Sequence, residues 1–316
     1  MKLRIIIIFF ILAPWPALAW NLGEVDFWAY QLQNADNKKS FNKLIDSKFD
    51  LIVLEPADIG SKKKLKRLKN SDGSKSGIRK RAAAYVNIGE AEDWRWYWQE
   101  DWKIGDPEFI LTDDPDGWSG NFPVAFWHEE WKDIIIYEKD SVLNRVLDKG
   151  FDGIYMDWVL AYDDPAVKEK AEEEGVDPQE EMIEFIREIK KYARKKNKKF
   201  FIIAQNGAEI SEGHLEYYNI IDAIAQENIS YGGKADVKWK SLKSGNIKNK
   251  WRKWDRRALK PYLQSNVPVF SVDYATKKNK IDKAYNFAIN HGYVPFVSRT
   301  PLSRLPKNRP PGYPEN

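Results

Sequence analysis

The stretch GFDGIYMDW, from Gly150 to Trp158, is a short apolar run that ends in an acid beside a tryptophan. Its centre, GIYMD, is apolar on both faces, as are LIVLE at residues 51–55 and FFIIAQ at residues 200–205. Burial on both faces is typical of parallel strands that are covered by helices. The stretch therefore predicts a buried parallel strand that presents Asp157 at its carboxyl end.

Eight such runs occur along the chain, at Phe27–Gln33, Leu51–Glu55, Ala82–Ile88, Gly153–Asp157, Phe200–Gln205, Ala223–Gln226, Val267–Val272 and Tyr293–Ser298. Apolar residues at helical spacing lie between several of them, for example after the helix-start signal Asp177-Pro178. Alternating strands and helices predict an α/β fold, a single-domain (β/α)8 TIM barrel. An open doubly wound sheet is the alternative, and it is weakened because no G-x-G-x-x-G motif follows the first strand.

The composition is that of a folded protein, since hydrophobic residues make up 43% of the chain and charged residues 31%. Cysteine is absent, which excludes disulfides, thiol catalysis and cysteine-ligated metals. The formal net charge is only +4, so we expect no nucleic-acid partner. A lysine-rich run at residues 62–69 is interpreted as a solvated polar loop.

The N-terminus has the pattern of a secretory signal peptide. Two cations precede the apolar run Ile5–Ala13, and Ala17-Leu18-Ala19 is a small-x-small cleavage site. We predict a signal peptide over residues 1–19, cleaved after Ala19, and a secreted or periplasmic mature protein. An uncleaved anchor is the alternative, but the apolar run is short for a span, and Pro14 and Pro16 interrupt the segment directly after it. After cleavage we expect a monomer with no membrane partner.

The barrel domain is predicted to cover residues 20–300, followed by a Pro-rich tail at 301–316 that is either laid along the surface or disordered. The longest gap between predicted strands holds an aromatic-rich insertion at about residues 91–132. Helical spacing of Trp94, Trp98 and Trp102 allows these rings simply to pack the insertion. For the cluster as a whole we favour a sugar-binding platform, because indoles stack on sugar rings.

Acids and amides collect where the predicted strands end, which is where barrel enzymes carry their functional groups. They are Glu55, Asn87, Glu90, Asp157, Gln205, Asn206, Gln226, Glu227, Asn228 and Asp273. Glycoside hydrolysis needs two carboxyl groups with different pKa values. The residues alone do not show which two of these carboxyl groups would form the catalytic pair.

Other chemistries lack support in the sequence. The three histidines, His128, His214 and His291, are far apart and lack metal-ligand spacing. The acidic turn at residues 113–116 departs from the EF-hand consensus. We therefore expect no metal and no cofactor.

Four segments resemble glycoside hydrolase family 114. They are WAYQLQNAD (Trp28–Asp36), YVNIGEAEDWRWYW (Tyr85–Trp98), GFDGIYMDW (Gly150–Trp158) and VFSVDY (Val269–Tyr274). The family includes endo-α-1,4-polygalactosaminidases and an uncharacterised extracellular branch, which this chain resembles more closely. The resemblance implies a TIM barrel that cleaves galactosamine-containing polysaccharide with a strand-four aspartate and a strand-six glutamate.

On that resemblance, Asp157 is the expected nucleophile and Glu227 the expected acid/base of a retaining, endo-acting glycosidase. The expected substrate-binding residues are Tyr85, Asn87, Glu90, Asn206, Asn228, Asp273 and Tyr274, with Trp94 and Trp158 as stacking rings. Trp158 departs from the family, whose members often carry an acid or a small residue after the nucleophile. Two alternatives stay open: a non-catalytic carbohydrate-binding barrel, and a glycosidase of the same fold that acts on another linkage.

Overall fold

The computed structural model describes residues 22–315. The predicted signal peptide and its cleavage site lie outside the described residues. Eight parallel strands form one sheet in sequence order, and they correspond to the eight predicted runs. They are β1 (Trp28–Gln31), β2 (Leu51–Leu54), β3 (Arg81–Asn87), β4 (Gly153–Asp157), β5 (Phe201–Gln205), β6 (Ala223–Glu227), β7 (Val269–Tyr274) and β8 (Val294–Ser298). The prediction of a (β/α)8 TIM barrel is confirmed.

Nine α-helices lie among residues 22–315, mostly between consecutive barrel strands. They are α1 (Lys38–Asp46), α2 (Lys62–Lys69), α3 (Glu129–Lys132), α4 (Val142–Lys149), α5 (Pro165–Glu174), α6 (Pro178–Lys196), α7 (Tyr217–Ile220), α8 (Arg252–Gln264) and α9 (Lys278–Asn290). Within the same range, no helix is long and apolar enough to cross a membrane.

Local signals explain where the helices begin and end. The Asp177 carboxylate accepts the backbone N–H groups of Gln179 and Glu180, as its position before Pro178 predicts. Gly150 ends α4 with a φ of 93°, a left-handed conformation that glycine adopts without steric cost. By fixing where a helix begins and ends, these caps set the length of the connection between two barrel strands and so the position of the second strand.

The lysine-rich run at residues 62–69 is a helix and not a loop, so that interpretation was wrong. Ser61 caps the first turn, and Leu65 and Leu68 are buried against the barrel. Six of the eight residues in α2 are lysine or arginine, so the mean hydropathy of the segment hides the contribution of the two leucines. Two apolar residues three positions apart are enough to seat a short amphipathic helix.

The barrel interior is filled by aromatic rings that centre on Trp28 of β1. Its ring lies 5.4 Å from Phe270 of β7, 5.8 Å from Phe296 of β8 and 6.1 Å from Tyr155 of β4. All four rings are almost completely buried. The indole nitrogen of Trp28 also donates a 2.9 Å hydrogen bond to the Val294 carbonyl, which ties β1 to β8 where the sheet closes.

The C-terminal segment takes the place of an eighth helix. The Leu302 carbonyl accepts a 2.9 Å hydrogen bond from the backbone N–H of Leu32, just past the carboxyl end of β1. Eleven residues later, Tyr313 packs on Phe27 and Phe49, at the amino ends of β1 and β2. The tail therefore runs the length of the barrel across the seam between β8 and β1.

The insertion between β3 and α4 carries its own small core. A short strand at Glu90–Glu92 pairs antiparallel with one at Asn121–Pro123. Trp98 stacks on Phe122 at 5.1 Å, and the buried Trp131 donates from its indole nitrogen to the Ile88 carbonyl at 2.9 Å. Most of the aromatic cluster is therefore packing, which corrects the expectation that the cluster as a whole forms a sugar platform.

Glu90 fastens this insertion to the barrel rim. Its Oε2 accepts hydrogen bonds from the amides of Asn87 at 2.8 Å and Asn121 at 3.0 Å. Its Oε1 and the Oδ2 of Asp114 are both buried without another partner, and a hydrogen bond joins the two carboxyl groups. Burial and this neighbouring carboxyl raise the pKa of Glu90 to about 10, so its side chain is a neutral acid that donates a hydrogen bond to Asp114.

Replacing Trp28 by Phe should lower the free energy of unfolding by about 3 kcal/mol, because it leaves a cavity and removes the indole hydrogen bond to the Val294 carbonyl. Chemical denaturation measures this change. Trp96→Phe is the matched control, since Trp96 is 44% exposed, and should change stability by less than about 0.5 kcal/mol. Equal effects of the two substitutions would contradict the role of Trp28.

Glu90→Gln should leave the fold intact, because glutamine can donate to Asp114 and accept from both asparagines. Glu90→Ala should lower the free energy of unfolding by about 2 kcal/mol, since it leaves the side chains of Asn87, Asn121 and Asp114 without this hydrogen-bond partner. The folded state of the parent binds the Glu90 proton more tightly than the unfolded state, so its stability falls as pH rises from about 4.5 to about 10. Denaturation across that range should show a smaller loss for Glu90→Gln, and an unchanged loss would contradict the assignment.

Candidate active site

A cavity of about 390 Å³ opens at the carboxyl ends of the barrel strands. Its floor includes Tyr30 of β1 and Tyr85 of β3, which lie above the aromatic core. Asp157 and Glu227, the last residues of β4 and β6, both line it. The parallel register therefore brings the two predicted catalytic carboxyl groups to one cavity.

Asp157 is held by a donor at each of its oxygens. The Tyr85 hydroxyl donates to Oδ2 at 2.6 Å, and the backbone N–H of Trp158 donates to Oδ1 at 2.8 Å. Burial raises the pKa of Asp157 to about 6, and the two hydrogen bonds oppose that rise because they stabilise the carboxylate. The side chain is thus mainly ionised at neutral pH.

Trp158 has a left-handed backbone, with a φ of 57°, which is rare for a bulky residue. This conformation turns its N–H back onto the preceding carboxylate and starts the turn Val159–Asp163. The loop after β3 passes so close that a Cβ on Gly89 would lie 2.3 Å from the Trp158 carbonyl oxygen. Only glycine fits there, so two neighbouring strand ends are packed around the site.

Glu227 has a similar setting at the end of β6. The Tyr274 hydroxyl donates to Oε1 at 2.7 Å, the Gln205 amide also hydrogen-bonds to the carboxyl group, and Asn206 accepts the Glu227 N–H at 2.9 Å. Burial first, and then the charge of Asp157, raise the pKa of Glu227 to about 8. At neutral pH Asp157 is therefore charged and Glu227 protonated, which is the pairing that acid-assisted displacement requires.

The remaining charged groups that line the cavity are also acidic: Glu55, Glu92, Asp116 and Asp236. Among the lining residues within 22–315 there is no lysine, arginine or histidine. Arg95 lies just behind and binds Glu55 through two hydrogen bonds of 2.8 and 3.0 Å and Glu92 through one of 2.6 Å. Arg95 thus offsets part of the charge of Glu55 and Glu92, whereas Asp116 and Asp236 form no ion pair within residues 22–315, so the cavity favours a cationic ligand.

Seven of the predicted site residues line this cavity: Tyr85, Trp94, Asp157, Trp158, Asn206, Glu227 and Tyr274. Asn87, Glu90, Asn228 and Asp273 do not. Asn87 and Glu90 bond to each other, and Asp273 accepts the backbone N–H groups of Ser230 and Tyr231 at 2.6 and 2.7 Å. Asn228 is an exposed, left-handed residue of that same turn, so these four shape the loops around the cavity.

Sequence reasoning missed several lining residues. Tyr30 was hidden as an apparent core residue of β1, while Asp116 and Asp236 come from long loops without a recognisable pattern. The backbone N–H of Ser119 donates to Asp236 at 3.2 Å, so the insertion and the loop after β6 meet at the cavity mouth. No cluster of three acids or histidines suited to a metal ion occurs in the described part of the chain.

Comparison with known proteins places the chain in a family. Residues 12–308 match the model of Glycoside-hydrolase family GH114. An uncharacterised protein of Methanocaldococcus jannaschii is 34% identical over 292 residues, which cover 86% of this chain and 75% of that protein.

Two solved structures share the fold. The glycoside hydrolase domain of PelA from Pseudomonas aeruginosa has a TM-score of 0.60 and 17% identity, covering 89% of this chain and 97% of that one. Aspergillus fumigatus Ega3, in complex with galactosamine, has a TM-score of 0.64 and 17% identity, covering 93% and 98%. The resemblance seen in the sequence motifs is confirmed, and the protein belongs to Glycoside-hydrolase family GH114.

Proposed function

We propose that this glycoside hydrolase is a retaining, endo-acting enzyme on a galactosamine-containing polysaccharide, with Asp157 as nucleophile and Glu227 as acid/base. The observation that carries the proposal is the shared cavity, in which burial holds the pKa of Asp157 near 6 and that of Glu227 near 8. One group is ready to attack and the other to protonate at the same pH. We further expect a monomer that acts outside the cytoplasm, in keeping with the predicted signal peptide.

In the first step, Glu227 transfers its proton to the glycosidic oxygen as the bond to the anomeric carbon breaks. A carboxylate oxygen of Asp157 forms a new bond to that carbon and gives a glycosyl-enzyme. In the second step, the Glu227 carboxylate takes a proton from water, and the resulting hydroxide displaces Asp157. The hydrogen bonds from Tyr85 and Tyr274 stabilise the ionised form of each acid when it appears.

The acidic lining supports an amino sugar as substrate. A deacetylated galactosamine carries an ammonium group, which would be attracted by Glu55, Glu92, Asp116 and Asp236 at the cavity wall. Trp94 and Trp118 line the same cavity and are 54% and 37% exposed, so their rings are available to stack on neighbouring sugars. The bound galactosamine in Ega3 is consistent with this choice of substrate.

Asp157→Asn and Glu227→Gln should each lower kcat on poly-α-1,4-galactosamine by about 10³-fold, because each removes one chemical role. Asp58→Asn is the matched control, since Asp58 is an acid at the same rim that does not line the cavity. Mass spectrometry of the products measures the rate and distinguishes internal cleavage from release of single sugars. Proton NMR should show that the new reducing end first forms in the configuration of the substrate.

If the Asp157→Asn variant hydrolyses the polymer at the rate of the parent protein, Asp157 is not the nucleophile. Binding of the polymer by the parent protein without any shorter product would instead favour the non-catalytic carbohydrate-binding barrel.

The pH dependence of kcat/KM should be bell-shaped, rising as Asp157 ionises near pH 6 and falling as Glu227 loses its proton near pH 8. Tyr85→Phe removes a donor that stabilises the Asp157 carboxylate, so the acidic limb should move to higher pH. Tyr274→Phe should raise the pKa of Glu227 and move the alkaline limb to higher pH. If both variants move the same limb, the two roles have been assigned incorrectly.

A further inference from the structure

A band of positive charge covers residues 234–260, which form most of the loop after β6 and the first part of α8. The segment contains eleven lysines and arginines and two aspartates, an excess of nine charges, whereas the formal charge of the whole chain is +4. All eleven cationic side chains are exposed. None of them forms an ion pair with another residue in the range 22–315.

Part of this band lines a groove of about 630 Å³ on the side of the barrel. One wall consists of four cations on one face of α8: Lys253, Arg256, Arg257 and Lys260. The other wall includes the rings of His291 and Tyr293, which directly precede β8. No acidic side chain of the described residues lines the groove, so the positive charges there are not neutralised by the protein.

This arrangement works against the stability of α8. Like charges three and four residues apart repel one another along the helix face. Arg252 and Lys253 occupy the first turn, where the helix dipole disfavours cations. Asp255 could offset them, but its carboxylate accepts from the Asn249 amide at 2.7 Å and forms no ion pair. Charges that weaken their own helix and have no internal partner indicate an external anion.

Two exposed indoles lie at the amino end of α8, outside the set of residues that line the groove. Trp251 is 72% exposed and Trp254 is 48% exposed, at the start of α8. The guanidinium of Arg257 lies 4.8 Å from the Trp254 ring. Indoles stack on the apolar faces of sugars, and the planar guanidinium pairs with a carboxylate through two hydrogen bonds. The chemistry on this face therefore matches a sugar that carries a carboxylate.

We propose that the groove, together with the adjoining Trp254, binds an acidic polysaccharide, a chain of carboxylate-bearing sugars, at a site separate from the catalytic cavity. The catalytic cavity is lined by acids, so a polyanion is repelled there and attracted here. A concave groove with cations along one helix face fits a linear chain better than the flat surface of a bilayer. This inference is independent of the sugar that the catalytic cavity cleaves.

The test uses the parent protein and immobilised polygalacturonate in biolayer interferometry. Binding should weaken as salt is added, because salt screens exposed charges. A variant with Lys253→Gln, Arg256→Gln, Arg257→Gln and Lys260→Gln should bind about tenfold more weakly or worse. The matched control replaces Lys38, Lys39, Lys63 and Lys66 by Gln, an equal loss of exposed charge outside the band, and should keep its affinity.

Hydrogen exchange of the parent protein gives a second readout that does not depend on the folding of any variant. Polygalacturonate should increase the protection of residues 251–260 and leave residues 38–66 unchanged. The proposal is overturned if the parent fails to bind the polymer at low salt or if the two quadruple variants lose equal affinity. Tighter binding to phosphatidylglycerol vesicles than to polygalacturonate at equal anionic charge would also overturn it, in favour of a membrane surface.

Discussion

Two carboxyl groups held above a water-poor aromatic core are the constraint on which the site depends. Trp28, Tyr155, Phe270 and Phe296 fill the barrel interior, so Asp157 and Glu227 lie at the boundary between an apolar core and the open cavity. Charge is costly there, and only one of the two acids is readily ionised at a time. The tyrosine hydroxyls determine how far each pKa rises, and the barrel register places both acids at the same rim.

The barrel was predictable because strands that are buried on both faces have a distinctive sequence pattern. Runs such as GIYMD and FIIAQ have no polar face, and few structures other than a covered parallel sheet use them. The residues alone did not separate Asp157 and Glu227 from Glu90 and Asp273, because all four follow or end a strand. The difference lies in the partners: backbone N–H groups donate hydrogen bonds to Asp273, and a second carboxyl group forms a hydrogen bond with Glu90.

Features that depend on tertiary contacts were less visible. The aromatic insertion looked like a sugar platform, yet most of its rings pack on one another, and only Trp94 and Trp118 of that cluster reach the cavity. Asp236 lines the cavity from a loop that shows no motif, and it accepts a hydrogen bond from the backbone N–H of Ser119 in the insertion. The position of such a side chain depends on the path of a long loop. No short-range periodicity of hydrophobic residues in the sequence predicts that path.

The C-terminal tail that crosses the seam between β8 and β1 has a consequence for the order in which the barrel folds. The contact between Trp28 and Val294 joins residues 266 positions apart, and the contacts of Tyr313 with Phe27 and Phe49 span a similar distance. Contacts so distant in sequence form late, because the intervening chain must first be ordered. The sheet therefore stays open between β1 and β8 until residues 294–313 can fold against the start of the barrel. The cavity, which Thr300 and Leu302 help to line, gains its final shape only when this tail is in place.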